Sequence, residues 1–263
     1  MFPEVLFRTS KMKRKFIVLF TVIVLLSNAS CVRENKYAVI ISANMEWESL
    51  KKVFPEEKYQ KSPWGEYFFK TISKREILFF HEGWGKVSAA AATQYVIDTY
   101  KPEILINLGT CGGFEGEINR YDIVLADKTV IYDIVEAMGD SKEAIADYTT
   151  QIDLSWLGND FPTNIRKTVL VSADKDLRVD EIEKLKSSYG AVAGDWETGA
   201  IAYTAQRNRT KILILRGVSD LVSSQQGEAY GNFNLFIQRT DTVMKKLLNE
   251  LPKWIEFIDK PGS

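Results

Sequence analysis

The sequence predicts one α/β domain, three layers deep, with helices on both faces of a mixed central sheet. Three observations predict it. Short runs dense in β-branched and aromatic residues alternate with helix-like stretches along almost the whole chain. Those β-rich runs are nearly continuous in apolar residues, as strands buried on both faces are. No linker or low-complexity block divides them, and 263 residues can bury a substantial core.

The elements follow in order. Residues 36–43 (KYAVIISA) read as a buried strand, and residues 46–54 as a helix stopped at Pro55. Residues 65–73 and 75–81 read as two strands of a hairpin, and Gly83-Trp84-Gly85 as a loop. Residues 86–100 form an alanine-rich helix that ends before Pro102. Residues 103–108 are another buried strand, running into Gly109-Thr110-Cys111-Gly112-Gly113, which reads as a tight turn. Residues 122–130 are strand-like. Residues 132–164 are an irregular excursion, part of it helical. Then come a strand (168–172), a helix (180–188), a short strand (191–193), a helix (198–207), a strand (211–215) and a long closing helix (233–251). The domain is assigned to residues 37–258.

The first thirty residues differ in kind. A basic cluster, Lys11 to Lys15, precedes eleven mostly apolar residues (16–26) and the small residues Ser27-Asn28-Ala29-Ser30-Cys31. That order is the order of a secretory signal, and the apolar run is short for a membrane span. Export is therefore expected, to the periplasm or to a membrane by lipidation of Cys31, with residues 31–36 as tether. Ordinary cleavage after Ala29 and an uncleaved anchor are the alternatives, and an unused signal would leave the chain in the cytoplasm. Cys111 is the one other cysteine, so a lipidated Cys31 leaves no internal disulfide.

Composition excludes several classes. The net charge is −1, with 45% hydrophobic and 26% charged residues, which speaks against a nucleic-acid-binding surface. With a single histidine, His81, and two cysteines, no zinc site is expected. A Cys111–His81 nucleophilic pair is disfavoured, and His81 reads as a core or edge residue.

Four stretches stand at the carboxyl ends of predicted strands, where open α/β sheets bind ligands. Ala43-Asn44-Met45-Glu46-Trp47-Glu48 carries two acids at a helix start, where acids also stabilise the helix end. The glycine-rich stretch 109–113 offers backbone N–H groups to a polar ligand, or packs as a simple turn. Gly194-Asp195-Trp196-Glu197-Thr198-Gly199-Ala200 brings two acids to another helix start. Arg216-Gly217-Val218-Ser219-Asp220 ends in an acid that either forms a turn or protonates a leaving group.

Taken together, these stretches resemble the purine nucleoside phosphorylase and nucleosidase superfamily over about residues 37–248. The branch they resemble best is 5′-methylthioadenosine/S-adenosylhomocysteine nucleosidase. Residues 43–48 are similar to that branch's A-M-E-E-E with one extra residue. Gly83-Trp84-Gly85-Lys86-Val87 resembles G-I-G-K-V, Ile106 to Gly113 resembles I-N-T-G-S-A-G-G, and Tyr121-Asp122-Ile123-Val124 resembles G-D-I-V. Residues 194–202 resemble V-E-M-E-A-x-A-I-A, and residues 216–220 resemble R-A-I-S-D.

The resemblance implies a nucleoside phosphorylase-like fold, a purine nucleoside substrate, no cofactor and a homodimer. It puts the catalytic base on Glu48, with Glu46 as competitor, and the acid that protonates the purine on Asp220. It puts the ribose diol on Glu197. Trp196, Thr110, Cys111, Gly112, Ser219, Asp176 and Leu177 then fall among the substrate-binding positions. Three carboxylates in base, electrostatic and acid roles suit an oxocarbenium-like transition state. Water is expected as nucleophile, because Asn107 stands where the phosphorylase branch has an arginine to hold phosphate. A phosphorylase and a nucleoside-binding lipoprotein without catalysis are the alternatives. Trp196 replaces a methionine beside the ribose, and the aromatic that stacks on the base is replaced by Asp176 or Leu177.

Overall fold

Each central strand buries both of its faces, and that is why helices cover both sides. In β1 (Tyr37–Ile41), Tyr37, Val39 and Ile41 enter one apolar cluster, and Ala38 and Ile40 enter another. β4 (Arg75–His81) divides likewise, with Ile77 and Phe79 on one side and Leu78 and Phe80 on the other. The computed structural model describes residues 36–260, and these fall within one compact unit. The expected leader and Cys31 lie outside the described residues.

The first cluster is closed by α1 (Asn44–Val53) and the last helix, α6 (Phe233–Ile258). The second is closed by α2 (Lys86–Tyr100) and α5 (Thr198–Arg207), whose alanines permit close approach. A third, smaller cluster lies under α4 (Ile182–Tyr189). The helices thus form two layers around one sheet, the three-layer arrangement expected.

The sheet has ten described strands and is mixed. The hairpin of β3 (Glu66–Ile72) and β4 leads, with the short β2 (Gln60–Lys61), to one edge. β4, β1, β5 (Ile104–Phe114) and β10 (Lys211–Val222) run parallel, so their carboxyl ends share one side. From β10 the pairing passes to β6 (Ile123–Ile131), to β8 (Arg166–Ser172), to β9 (Ala191–Asp195) and back to β5. Five strands therefore close a ring at one end of the sheet. The 132–164 excursion holds α3 (Ser141–Asp147) and β7 (Thr150–Gln151), which pairs with β6.

Two elements run further than their composition suggests. Residues 109–113 are not a turn: β5 continues through them, held by β10 on one side and β9 on the other. Glycine weakens an isolated strand but permits close backbone approach inside a closed ring. A Cβ on Gly109 would stand 1.8 Å from Arg216 Nη1 and 2.8 Å from Glu46 Oε1. β10 likewise continues past Leu215 to Val222, with a bulge between Val218 and Asp220 that leaves Ser219 unpaired. Such a bulge re-aims the side chains beside it. α6 continues through Pro252, which lacks the donor for its turn. Burial of Trp254, Ile255 and Ile258 beyond it offsets that cost.

Candidate active site

At the carboxyl ends of β1, β5, β9 and β10, two acids flank one fully buried guanidinium. Arg216 ends the apolar half of β10 with no solvent exposure. Its Nη1 lies 3.4 Å from Glu46 Oε1, and its Nε lies 3.1 Å from Asp195 Oδ2. Glu46 Oε1 also accepts from Thr110 N at 2.5 Å and Thr110 Oγ1 at 2.8 Å, while its Oε2 faces Ala43 N at 3.4 Å. Asp195 Oδ1 accepts from Ser172 Oγ at 2.8 Å and from Thr198 N and Oγ1 at 3.1 and 2.7 Å. The hydroxyls and the guanidinium hold both acids in place.

The structure separates the two candidate bases, Glu46 and Glu48. Two residues along an α-helix turn a side chain by about 200°, so Glu46 and Glu48 cannot face one site. Glu46 shares its face with the buried Ser49 and Leu50. Glu48 shares the outer face with Lys51, pairs with it at 3.0 Å, and its side chain is 55% exposed. Of the two, the buried acid is the competitor Glu46.

Glu197 is buried between β9 and α5 and accepts from Gly85 N at 3.1 Å. Gly85 reaches it with φ +85°, a conformation that favours glycine. Burial pushes the Glu197 carboxyl up to about 8, opposed by Arg216 and reinforced by the charges of Asp195 and Glu46. Glu46 is also raised by burial, against Arg216 and the Thr110 donors. Asp220 is raised by burial too, against the Ser219 hydroxyl bond at 2.6 Å and the Arg239 charge. One residue before Gly83, the fully buried Glu82 accepts from Ser42 Oγ at 3.1 Å and Thr93 Oγ1 at 2.7 Å, and burial pushes it up to about 8.

The remaining expected positions divide. Thr110 faces the site but gives both donors to Glu46. Burial pushes the Cys111 thiol well up, which removes it as a nucleophile, and its carbonyl accepts from Ser219 Oγ at 3.3 Å. His81 stacks on Trp47 at 5.3 Å, a packing role. Trp196, half-buried beside Glu197, packs on Trp84 at 4.9 Å, and Trp84 is 62% exposed. Asp176 is exposed, whereas Leu177 is buried and packs on Gly112 and Gly194. Asn107 donates to Ile40 O at 3.0 Å, a bond between strands rather than toward the site.

Arg216 and Asp195 were missed as functional residues by motif matching. Their signal was an arginine closing an unbroken apolar run, a placement that requires a buried partner. Among the described residues no group of three or more His, Cys, Asp or Glu is placed to hold a metal ion.

A curled mixed sheet with buried acids at its strand ends defines a class, and the family comparison agrees with it. Residues 36–251 match the family described as the phosphorylase superfamily, and the chain belongs to that superfamily. Within it, the chain is similar to 5′-methylthioadenosine/S-adenosylhomocysteine nucleosidase of Buchnera aphidicola from Acyrthosiphon pisum (strain APS). The two are 28% identical over 196 residues, 70% of this chain and 84% of the relative. Two solved structures share the fold. Arabidopsis thaliana 5′-methylthioadenosine nucleosidase has a TM-score of 0.71 at 22% identity, covering 88% of this chain and 98% of that one. A futalosine hydrolase mutant of Helicobacter pylori strain 26695 has a TM-score of 0.69 at 18% identity, covering 84% and 99%.

Proposed function

We propose that this chain is an N-glycosyl hydrolase that cleaves purine nucleosides to the free base and a ribose derivative. The observation that carries the reading is the set of three separately held, buried acids, Glu46, Glu197 and Asp220, at the strand ends. Glu46 takes a proton from water as it attacks the sugar's anomeric carbon. Glu197 accepts from the ribose 2′- and 3′-hydroxyls and favours the positive charge growing on the sugar. Asp220 gives its proton to the departing purine, which leaves neutral. Burial raises Asp220 above the ordinary aspartate range, the direction that suits a proton donor.

Water is favoured over phosphate on electrostatic grounds. The buried Arg216 already faces Glu46 and Asp195, and Lys86 is paired with Asp133. A phosphate dianion would meet more negative than positive charge there. The relatives' names support a substrate of the 5′-methylthioadenosine or S-adenosylhomocysteine type, with adenine as base. Base release from adenosine, inosine and 5′-methylthioadenosine, by wild type and by Asp220→Asn, tests the reading. Release that needs phosphate would make the chain a phosphorylase, and tight binding without release would make it a binding protein.

Two further proposals accompany it. The basic and apolar order of residues 11–26 and the small residues up to Cys31 support export, with Cys31 as lipid anchor. Cell fractionation of wild type and Cys31→Ser tests this, and a soluble cytosolic wild type would contradict it. Homodimer formation is supported by large apolar side chains left in solvent, among them Trp84, Val87, Val135 and Met138. Light scattering across a concentration series tests it, and a monomer at every concentration would contradict it.

A further inference from the structure

The parallel strands β4, β1, β5 and β10 bring Ile77, Tyr37, Ile104 and Lys211 into one row across the sheet. Beyond that row lies the amino end of the sheet, opposite the candidate active site. Lys36 and Arg75 stand there, and both pair with Asp259 at the end of α6. Lys74, Lys101, Arg209 and Lys211 stand there too. All four are exposed, and none forms an ion pair among the described residues.

Three of these cations occupy backbone that disfavours them. Lys74, Lys101 and Arg209 have φ of +65°, +48° and +56°. That left-handed region favours glycine or asparagine. Lys101 and Arg209 also meet the carboxyl ends of α2 and α5, which attract cations, but Lys74 lies in the β3–β4 hairpin turn. The strand starts and turns of this end are residues 36, 73–76, 101–104, 208–211 and 259–260, and they hold seven cations and three acids, a net of +4. Glu256, which accepts from Ser73 Oγ at 2.9 Å, and Asp153, which feels the Lys211 charge, border it. Residues 31–263 as a whole carry −5, so the rest of that chain carries −9.

We propose that this basic end is a docking surface for an anionic lipid bilayer, and that the anchored domain stands on it with the acidic, nucleoside-binding end facing away. The proposal rests on the reading that Cys31 carries a lipid. Four residues separate Cys31 from Lys36, so the tether spans at most about 18 Å. The bilayer surface then lies within that reach of the amino end of β1. At such range anionic headgroups attract the basic end and repel the remainder. The partly buried Trp156 ring, 5.4 Å from Lys211 Nζ, adds an aromatic of the kind that settles at lipid–water boundaries.

The test uses the full chain in the mature form that cells produce, on vesicles of phosphatidylcholine alone or of phosphatidylcholine and phosphatidylglycerol in equal parts. Trace labelling with an amine-reactive reagent, read by mass spectrometry, reports which lysines the bilayer covers. Each basic group close to an anionic surface favours docking by about 5-fold. Labelling of Lys74, Lys101 and Lys211 should therefore fall at least about 5-fold on the anionic vesicles, and high salt should restore it. Lys184, in the first turn of α4 after the carboxyl end of β8, should keep its rate. Lys74→Asn, Lys101→Asn and Arg209→Asn together remove three charges and suit the left-handed backbone. Docking should then weaken on the order of 100-fold, and Lys211 should label as on neutral vesicles. Melting temperatures report folding of this variant, and if it does not fold, the wild-type labelling decides alone. An anchored wild type that labels all three lysines equally on both vesicles overturns the surface and leaves the anchor standing. A protein without lipid that sediments with anionic vesicles through these cations supports the surface and overturns the anchor. One without lipid that sediments with neither overturns both.

Discussion

Replacing Glu46 by glutamine separates the two candidate bases, because it removes one proton acceptor and little else. Glu46 Oε1 collects Thr110 N, Thr110 Oγ1 and Arg216 Nη1 at 2.5, 2.8 and 3.4 Å, and a glutamine oxygen can accept from the same groups. The new amide would face Ala43 N, which Oε2 now accepts at 3.4 Å, so one long contact is lost. Arg216 keeps Asp195 at 3.1 Å and is not left without a counter-charge. The stability cost should therefore be about 1 kcal/mol, the scale of one compromised hydrogen bond. The rate should fall by about 10²–10⁴, the usual contribution of a positioned general base. Glu48→Gln, on the outer helix face, should change stability by no more than about 0.5 kcal/mol and leave base release near wild type. Initial rates of base release, with melting temperatures measured in parallel, read both. Loss of activity in Glu48→Gln with retention in Glu46→Gln would refute the assignment.

Other expectations follow from the same geometry. Gly109→Ala would drive a methyl into Arg216 and Glu46, so it should cost about 1–3 kcal/mol by overpacking and also lower activity; a denaturant titration checks it. Glu82 and Glu197 hold protons more tightly folded (about 8) than unfolded (4.5). Their stabilising protonation is complete below the unfolded value and is lost as pH rises toward about 8, so the empty protein should weaken across that window; melting temperatures against pH read the slope, and Glu82→Gln should flatten it. The diol is gripped best by ionised Glu197, so kcat/KM should climb with pH toward about 8, a limb that Glu197→Gln should lose. Cys111→Ala should retain catalysis, since burial keeps that thiol protonated, and a rate assay decides it.

Much of the fold was legible because both faces of the central strands are buried. Runs such as Ala38 to Ile41 and Ile212 to Leu215 could be little else than interior strands. The limits of β5 and β10 were not legible. Glycines at 109, 112, 113 and 217 signal turns locally, and only the closed pairing with β9 and β6 makes them strand. Glu197 stands two residues after β9 and Asp220 inside the continued β10, and the fold buries both. Matching motifs by letter left Glu46 and Glu48 as competitors. Helical phase carried the answer: Glu46 lies three and four residues before Ser49 and Leu50, Glu48 before Lys51 and Lys52. Arg216 meets partners far along the chain, Glu46 and Asp195, and no local pattern marks such pairs.

The most direct test of the central claim is the fate of labelled water. Wild-type protein, a purine nucleoside and H₂¹⁸O, without phosphate, should yield one free base per sugar, with ¹⁸O in the anomeric hydroxyl. Added phosphate should change neither rate nor product. A sugar 1-phosphate formed only when phosphate is present, or no base release at all, would contradict the account.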